Sequence, residues 1–214
     1  LAAWYKADGV LWTTATTSRA NKEGDQIVRI DDASGNGNHA TRAQGDAAVR
    51  MNVQNGRAVI RMAEAANTAF NLATNITSAP VTVLAVVKNR NVQAAFQGLF
   101  VASKIGVYAG GTTGSDWGAY VNTSLDGGQT LGSFKQISAV FRAANDVDLV
   151  TNGSLVNRTN GASYQGRTGT AIAADPSGVQ FTSLDLAELI VYNRALTVAE
   201  RLLIESYLKR RWAT

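Results

Sequence analysis

"VDLVTNGSLVN", residues 147–157, sets two β-rich runs around Asn152-Gly153. Both central positions of a type I′ turn need positive φ, which Asn and Gly supply at little cost. The twist of that turn matches an antiparallel pair, so the stretch reads as a hairpin. The same grammar extends outward. "FKQISAVFRA" (134–143) precedes it, and "QGLFVAS", "KIGVYAG" and "WGAYVN" lie further upstream, between 97 and 122. "RAVIRM" (57–62) alternates, while "PVTVLAVVK" (80–88) is almost continuously apolar, as in a strand buried on both faces. "GVQFTS" (178–183) and "LDLAELIVYN" (184–193) bring the set to about ten strands with turn signals every eight to twelve residues, the pattern of an all-β sandwich.

One segment has a different period. Thr197-Val198-Ala199-Glu200 is a capping box: the Thr hydroxyl can accept from the Glu200 amide, and the Glu200 carboxylate can return to the Thr197 amide. Ala199, Leu202, Leu203, Tyr207 and Leu208 then recur at helical spacing, which predicts a helix over 198–211 with those residues facing the core. Lys209, Arg210 and Arg211 suit its C-terminal dipole end.

The 214 residues are 45% apolar and only 17% charged, with 20 Gly, 2 Pro and no Cys. A single large domain with a sizeable core is expected, since no linker or repeat divides the chain. Without Cys there is neither a disulfide framework nor a thiolate metal site. No apolar run reaches the roughly 18 residues of a spanning helix, so membrane insertion is not expected. The net charge of +4 is scattered rather than interleaved with aromatics, which argues against a nucleic-acid partner. A chain opening at Leu1 is expected to be a processed form or an excised domain.

Three stretches resemble a known family: "LAAWYKADG" at the start, "DASGNGNHAT" near residue 35, and "LAELIVYNRALTVAERLLIESYLKRRW" at the end. They resemble laminin G-like domains of the concanavalin A-like lectin/glucanase superfamily, in its bacterial and phage branch. The resemblance implies a jelly-roll sandwich of two antiparallel sheets with adjacent termini. It also implies a recognition or adhesion role more often than catalysis.

Glucanases of that superfamily carry a Glu-x-Asp-x-x-Glu strand. Here Asp185 and Glu188 match, but Ser183 stands at the first Glu. A retaining glycosidase needs two carboxyls about 5–5.5 Å apart, and the missing one removes the pair. Asp185 and Glu188 are expected to hold an Arg or loop amides, and no enzyme activity is expected. A Ser–His–Asp triad would have to use His39, the only His, which sits in a Gly-rich turn without a strand-to-helix elbow.

The turn "IDDASGNGNHATRA" (30–43) carries two readings. Asp32, Ser34 and Asn36 have the oxygen spacing of the first half of a calcium loop, with Gly37 at its sixth position. The twelfth position is Ala43, so a metal would need help from Asp8 or Asp185. The same residues also form self-bonded turns without metal, and no cofactor is expected on that reading. His39 is then a hydrogen-bonded residue or a rim contact.

A sugar site needs exposed aromatics among amides and carboxylates. "GSDWGAYVN" offers Asp116, Trp117, Tyr120 and Asn122, and Tyr164 lies in the Gly-rich "GASYQGRTG"; Tyr108 is close in sequence. The alternative is that Trp117 and Tyr120 fill the core. Two functions compete: a non-catalytic module recognising glycan or a protein surface, and a structural accessory of a phage virion, as capsid decoration or tail-associated protein. A degenerate glycoside hydrolase trails both. Either leading reading places the protein outside the cell or on a virion surface.

Overall fold

The computed structural model describes residues 1–214 except 15–16, 64–65, 75, 77–78, 91–96, 103–104, 110–115, 121–123, 130–131, 144–145 and 160–168, and gives only the backbone of 116, 120, 124–129 and 156–159. In chain order the strands are β1 Ala3–Lys6, β2 Leu11–Trp12, β3 Arg29–Ile30, β4 Ala40–Gln44, β5 Ala47–Gln54, β6 Arg57–Met62, β7 Ala69–Leu72, β8 Val81–Asn89 and β9 Gln97–Ala102. They continue as β10 Ile105–Ala109, β11 Asp116–Tyr120, β12 Ser124–Gln129, β13 Lys135–Ala143, β14 Asp146–Thr151, β15 Ser154–Thr159, β16 Ala171–Ile172 and β17 Leu184–Tyr192, followed by helix α1, Val198–Trp212.

The strands form two antiparallel sheets. One runs β15-β14-β13-β8-β17-β6-β5, with β1 beside β17; the other runs β12-β11-β10-β9-β16-β7-β4-β3-β2. The result is a jelly-roll β-sandwich with one C-terminal helix, as the sequence predicts. The hairpin turn has Asn152 at φ 49° and Gly153 at φ 80°, the expected type I′ geometry. β8 is buried along almost its whole length because sheet and helix cover it on opposite faces. The "GVQFTS" stretch is not a strand: only Val179 makes an isolated bridge, to Asp175. Its apolar residues are too few to compete with the local turn at Asp175–Gly178, where the Asp175 carboxylate binds the Ser177 amide.

Two apolar layers result. Between the sheets lie Tyr5, Phe70, Phe100, Trp117 and Phe141 among many aliphatics. Between the first sheet and α1 lie Val59, Leu84, Val86, Ile190, Leu208 and Trp212. The helix begins at Thr197 with the complete capping box. Its buried face differs from the expected one. Leu203 is 73% exposed and Leu202 46%, whereas Glu205, Leu208 and Trp212 are buried.

The rotation has a polar cause. Glu188, on β17, is fully buried and accepts from Trp4 Nε1 (2.6 Å), Trp212 Nε1 (2.7 Å) and the Tyr207 hydroxyl (3.0 Å). Arg211 approaches it at 3.1 Å and turns its other end to Asp8, which also binds Arg57. Glu205 takes the Ser138 hydroxyl at 2.7 Å and pairs with Arg201. A buried carboxylate must find donors, and those that α1 supplies are Arg201, Tyr207, Arg211 and Trp212. Burial and the Glu188 charge together push the Tyr207 phenol up to about 12.

Replacing Glu188 by Ala is therefore expected to cost about 3–5 kcal/mol, because an Arg and three N–H or O–H donors lose their buried acceptor. Denaturant melts of Glu188→Ala measure it, and tryptophan emission should shift as Trp4 and Trp212 gain solvent. An unchanged midpoint would show that the cluster is not an anchor.

Candidate functional site

The 30–43 turn resolves into a self-bonded knot. Asp32 Oδ1 accepts from the Trp4 amide (2.8 Å) and the Ser34 amide (2.8 Å). Its Oδ2 accepts from the Ser34 hydroxyl (2.7 Å) and the Asn38 amide (3.0 Å). Ser34 Oγ in turn accepts from the Asn36 side chain at 3.0 Å, and Asn36 Nδ2 also reaches the Leu1 carbonyl at 3.0 Å. A carboxylate has about four lone-pair sites, and all four face hydrogens here. The oxygens of Asp32, Ser34 and Asn36 have calcium-loop spacing, but hydrogen-bond donors already face the one carboxylate among them, which favours the self-bonded reading. The proposed helpers are also engaged, Asp8 by Arg57 and Arg211 and Asp185 by Arg61. His39 is a hydrogen-bonded turn residue, its Nδ1 accepting from the Asp32 amide at 3.1 Å.

Burial raises the Asp32 pKa, but the Ser34 hydroxyl and amide and the Trp4 and Asn38 amides outweigh it, so the carboxyl lies below its ordinary range. A depressed carboxyl pKa contributes stability above the unfolded value and loses it as pH falls through the folded one.

The knot also shapes a cavity. Asn38 Oδ1 accepts from the Thr74 amide at 2.8 Å, and the Ala73 amide donates to the His39 carbonyl at 3.2 Å, so the turn tip holds the start of the 73–80 segment. The Asn38 carbonyl takes the Tyr5 hydroxyl at 2.5 Å, which fixes the tip to β1 from inside the sandwich. Between the tip, Thr74, Ile76, Ala79, Pro80 and Val81, and Asn193 just past β17, lies a cavity of about 450 Å³. Asn36, Asn38, Thr74 and Asn193 supply its polar wall, and Leu1, Ile76, Ala79 and Pro80 supply apolar surface. The Asn193 amide and the Thr74 hydroxyl have no hydrogen-bond partner among the described residues. No ionised side chain lines the cavity among the described residues. Such a wall can exchange hydrogen bonds with a neutral, hydroxyl-rich ligand while the apolar part meets its C–H faces.

The aromatic site expected from the sequence divides. Trp117 is wholly buried in the inter-sheet core and presents no face to a ligand. This corrects its assignment: its β11 neighbours put it on the inward face, opposite Ala109 of β10. Tyr108 is 3% exposed, and its ring lies against Gly106, where an added Cβ would come within 2.1 Å of it. The side chains of Asp116 and Tyr120, together with Asn122 and Tyr164, fall outside the described residues. The cavity itself went unread in the sequence. Asn193 and Thr74 stand 119 positions apart, and only the closing of the sandwich brings them together. The paired Asn36 and Asn38 of the turn were its one visible trace.

Comparison with protein-family models and with curated proteins finds no match. Solved structures do share the fold. The binding domain of Paraclostridial Mosquitocidal Protein 1 has a TM-score of 0.56 at 15% identity, over 94% of this chain and 53% of that one. The botulinum neurotoxin serotype G binding domain has 0.56 at 11% identity, over 84% and 49%. A Trypanosoma rangeli sialidase in complex with sialic acid has 0.53 at 16% identity, over 95% and 33%. The chain thus spans about half of the toxin binding domains and a third of the sialidase. At these identities the likeness establishes a shared β-sandwich.

Two outcomes follow from the geometry. Asp32→Ala should lower stability by about 1–3 kcal/mol at neutral pH, with or without calcium. The gap to wild type should narrow as pH falls from about 4, where the unfolded carboxyl takes up its proton, through the lower native value; calcium-dependent melting of the wild type would favour the metal reading. Trp117→Ala should cost about 3–5 kcal/mol through the cavity it leaves, read from denaturant midpoints.

Proposed function

We propose that this domain is a non-catalytic recognition module that binds a neutral, hydroxyl-rich glycan segment in the cavity beside the 32–38 turn. The observation that carries this is the cavity wall: the Asn193 amide and Thr74 hydroxyl stand uncommitted beside apolar surface, with no ionised side chain among the described residues. Sugar hydroxyls both donate and accept, which is what Asn and Thr side chains do. The two carboxylates that remain of the glucanase pattern support the same reading. Asp185 is 1% exposed and chelated by Arg61 at 2.7 and 2.9 Å, and Glu188 is locked among indoles. The toxin neighbours are named as binding domains, and the laminin G-like resemblance points the same way. Such a module would work outside the cell or on a particle surface.

A protein-surface role has its own support. Val198, Leu202 and Leu203 of α1 are exposed beside an apolar groove of about 240 Å³ lined by Trp4, Ile190, Tyr192, Ile204 and Tyr207. Docking of α1 to an assembly, a virion included, would use that face.

Asn193→Ala with Thr74→Val tests the glycan reading, since both side chains are exposed and hold nothing else in place. Glycan-array screening of the wild type followed by calorimetry of the double variant should show about tenfold weaker binding, the loss of two hydrogen bonds, with unchanged melting. Unaltered affinity would move the site elsewhere. Release of reducing sugar from a polysaccharide panel would overturn the non-catalytic reading.

A further inference from the structure

Among the described residues, the outer face of the first sheet gathers more cations than anions around Asp185. Arg61 of β6 and Lys88 of β8 both pair directly with Asp185 of β17, so all three side chains leave the same face of the sheet. Leu184 and Leu186, the neighbours of Asp185, point into the inter-sheet core, which places this row on the opposite, outward face. Arg90 lies two residues beyond Lys88, tied by its amide to the Ser183 carbonyl at 2.9 Å. Its Nε approaches Asp185 at 3.8 Å, while Arg61 already chelates that carboxylate.

One buried anion therefore faces three cations. Asp185 is 1% exposed, whereas the Arg61 and Arg90 side chains are 30% and 35% exposed. The adjacent Arg50 is occupied by Glu23 at 2.8 Å and adds no net charge. Arg61 spends Nε and one Nη on Asp185, so the other N–H groups of its fork are not used on that carboxylate, and the side chain is 30% exposed. Arg61 and Lys88 are separated by one strand, roughly 10 Å between backbones, so their long side chains can reach one guest between them. Two guanidiniums held on a single carboxylate repel each other, and an external oxyanion relieves that repulsion. The cluster contributes no aromatic ring for a nucleobase to stack on.

We propose that Arg61, Lys88 and Arg90 form a second binding site, separate from the cavity, for the sulfate or carboxylate groups of an acidic polysaccharide. The oxyanion chemistry comes from the cluster alone; the polysaccharide as its carrier rests on the glycan reading above. Asp185 acts as a positioning residue, holding the Arg61 fork flat against the sheet so that its free edge meets the guest.

The probe is dextran sulfate, with uncharged dextran as reference, at about 0.15 M salt so that weak long-range attraction is screened. Wild type should bind the sulfated polymer and not the neutral one. Lys88→Gln with Arg90→Gln should weaken that binding by about tenfold or more. Arg61 is left in place because Asp185 depends on it, and equal melting temperatures establish that the double variant folds. Lys209→Gln with Arg210→Gln removes the same charge from the exposed end of α1 and should change binding less than about twofold. Equal loss in both double variants, or none in the first, would overturn the site in favour of overall charge. Binding to phosphatidylserine vesicles without binding to dextran sulfate would overturn the polysaccharide. The cavity variant, Asn193→Ala with Thr74→Val, should bind dextran sulfate as wild type does; its failure to do so would place the anion in the cavity instead. Conversely, if neutral glycans bind nowhere, retention of dextran sulfate by the cluster still stands as its own result.

Discussion

The Glu188 carboxylate is the constraint on which the arrangement of both chain ends depends. A charge at this depth costs several kcal/mol unless donors surround it. Here they come from opposite ends of the sequence: Trp4 from β1, and Tyr207, Arg211 and Trp212 from α1. The N-terminal strand must therefore lie along β17, and the helix must turn its 208–212 face to the sheet. That is why Leu202 and Leu203 remain outside although they are the more apolar residues. Satisfying one buried charge outweighs burying two leucines at roughly 1.5–3 kcal/mol each.

Trp4 carries this order into the candidate site. Its indole binds Glu188 while its backbone amide binds Asp32, and its carbonyl takes the Ala33 amide at 2.7 Å. The 32–38 turn is thus hung from β1, and β1 is hung from the Glu188 cluster. The cavity wall at Asn36 and Asn38 inherits its rigidity from that chain of contacts, and a rigid wall loses less entropy when a ligand arrives.

Charge is scarce in this protein, and most of it is already spent. Asp8, Asp31, Asp32, Asp148, Asp185, Glu188, Glu200 and Glu205 each have a cation or backbone donors as partners. At Glu200 the Arg194 fork and the Thr197 cap hold the carboxyl down to about 2. Acids bound in this way stabilise the structure and are unavailable as proton donors or nucleophiles. Among the described residues, the two candidate sites offer other groups: the Asn193 amide and Thr74 hydroxyl in the cavity, and Arg61, Lys88 and Arg90 around one carboxylate on a sheet face.

Local rules were legible in the chain itself. The Asn152-Gly153 hairpin, the 57–62, 80–88 and 184–193 strands and the Thr197 capping box depend on neighbours within a few residues, and the structure bears them out. Short strands such as β2, β3 and β16, only two residues long, carry no periodicity and exist because longer strands offer them an edge. The missing first carboxylate of the glucanase pattern, at Ser183, was likewise plain from the chain alone. Tertiary structure decided what needed distant partners: which helix face is buried, that Asp32 meets the Trp4 amide, that Trp117 lies inside, and that Asn193 meets Thr74 across a cavity. Side-chain type states what a residue can bond with, but only the closed sandwich determines which donor reaches it first.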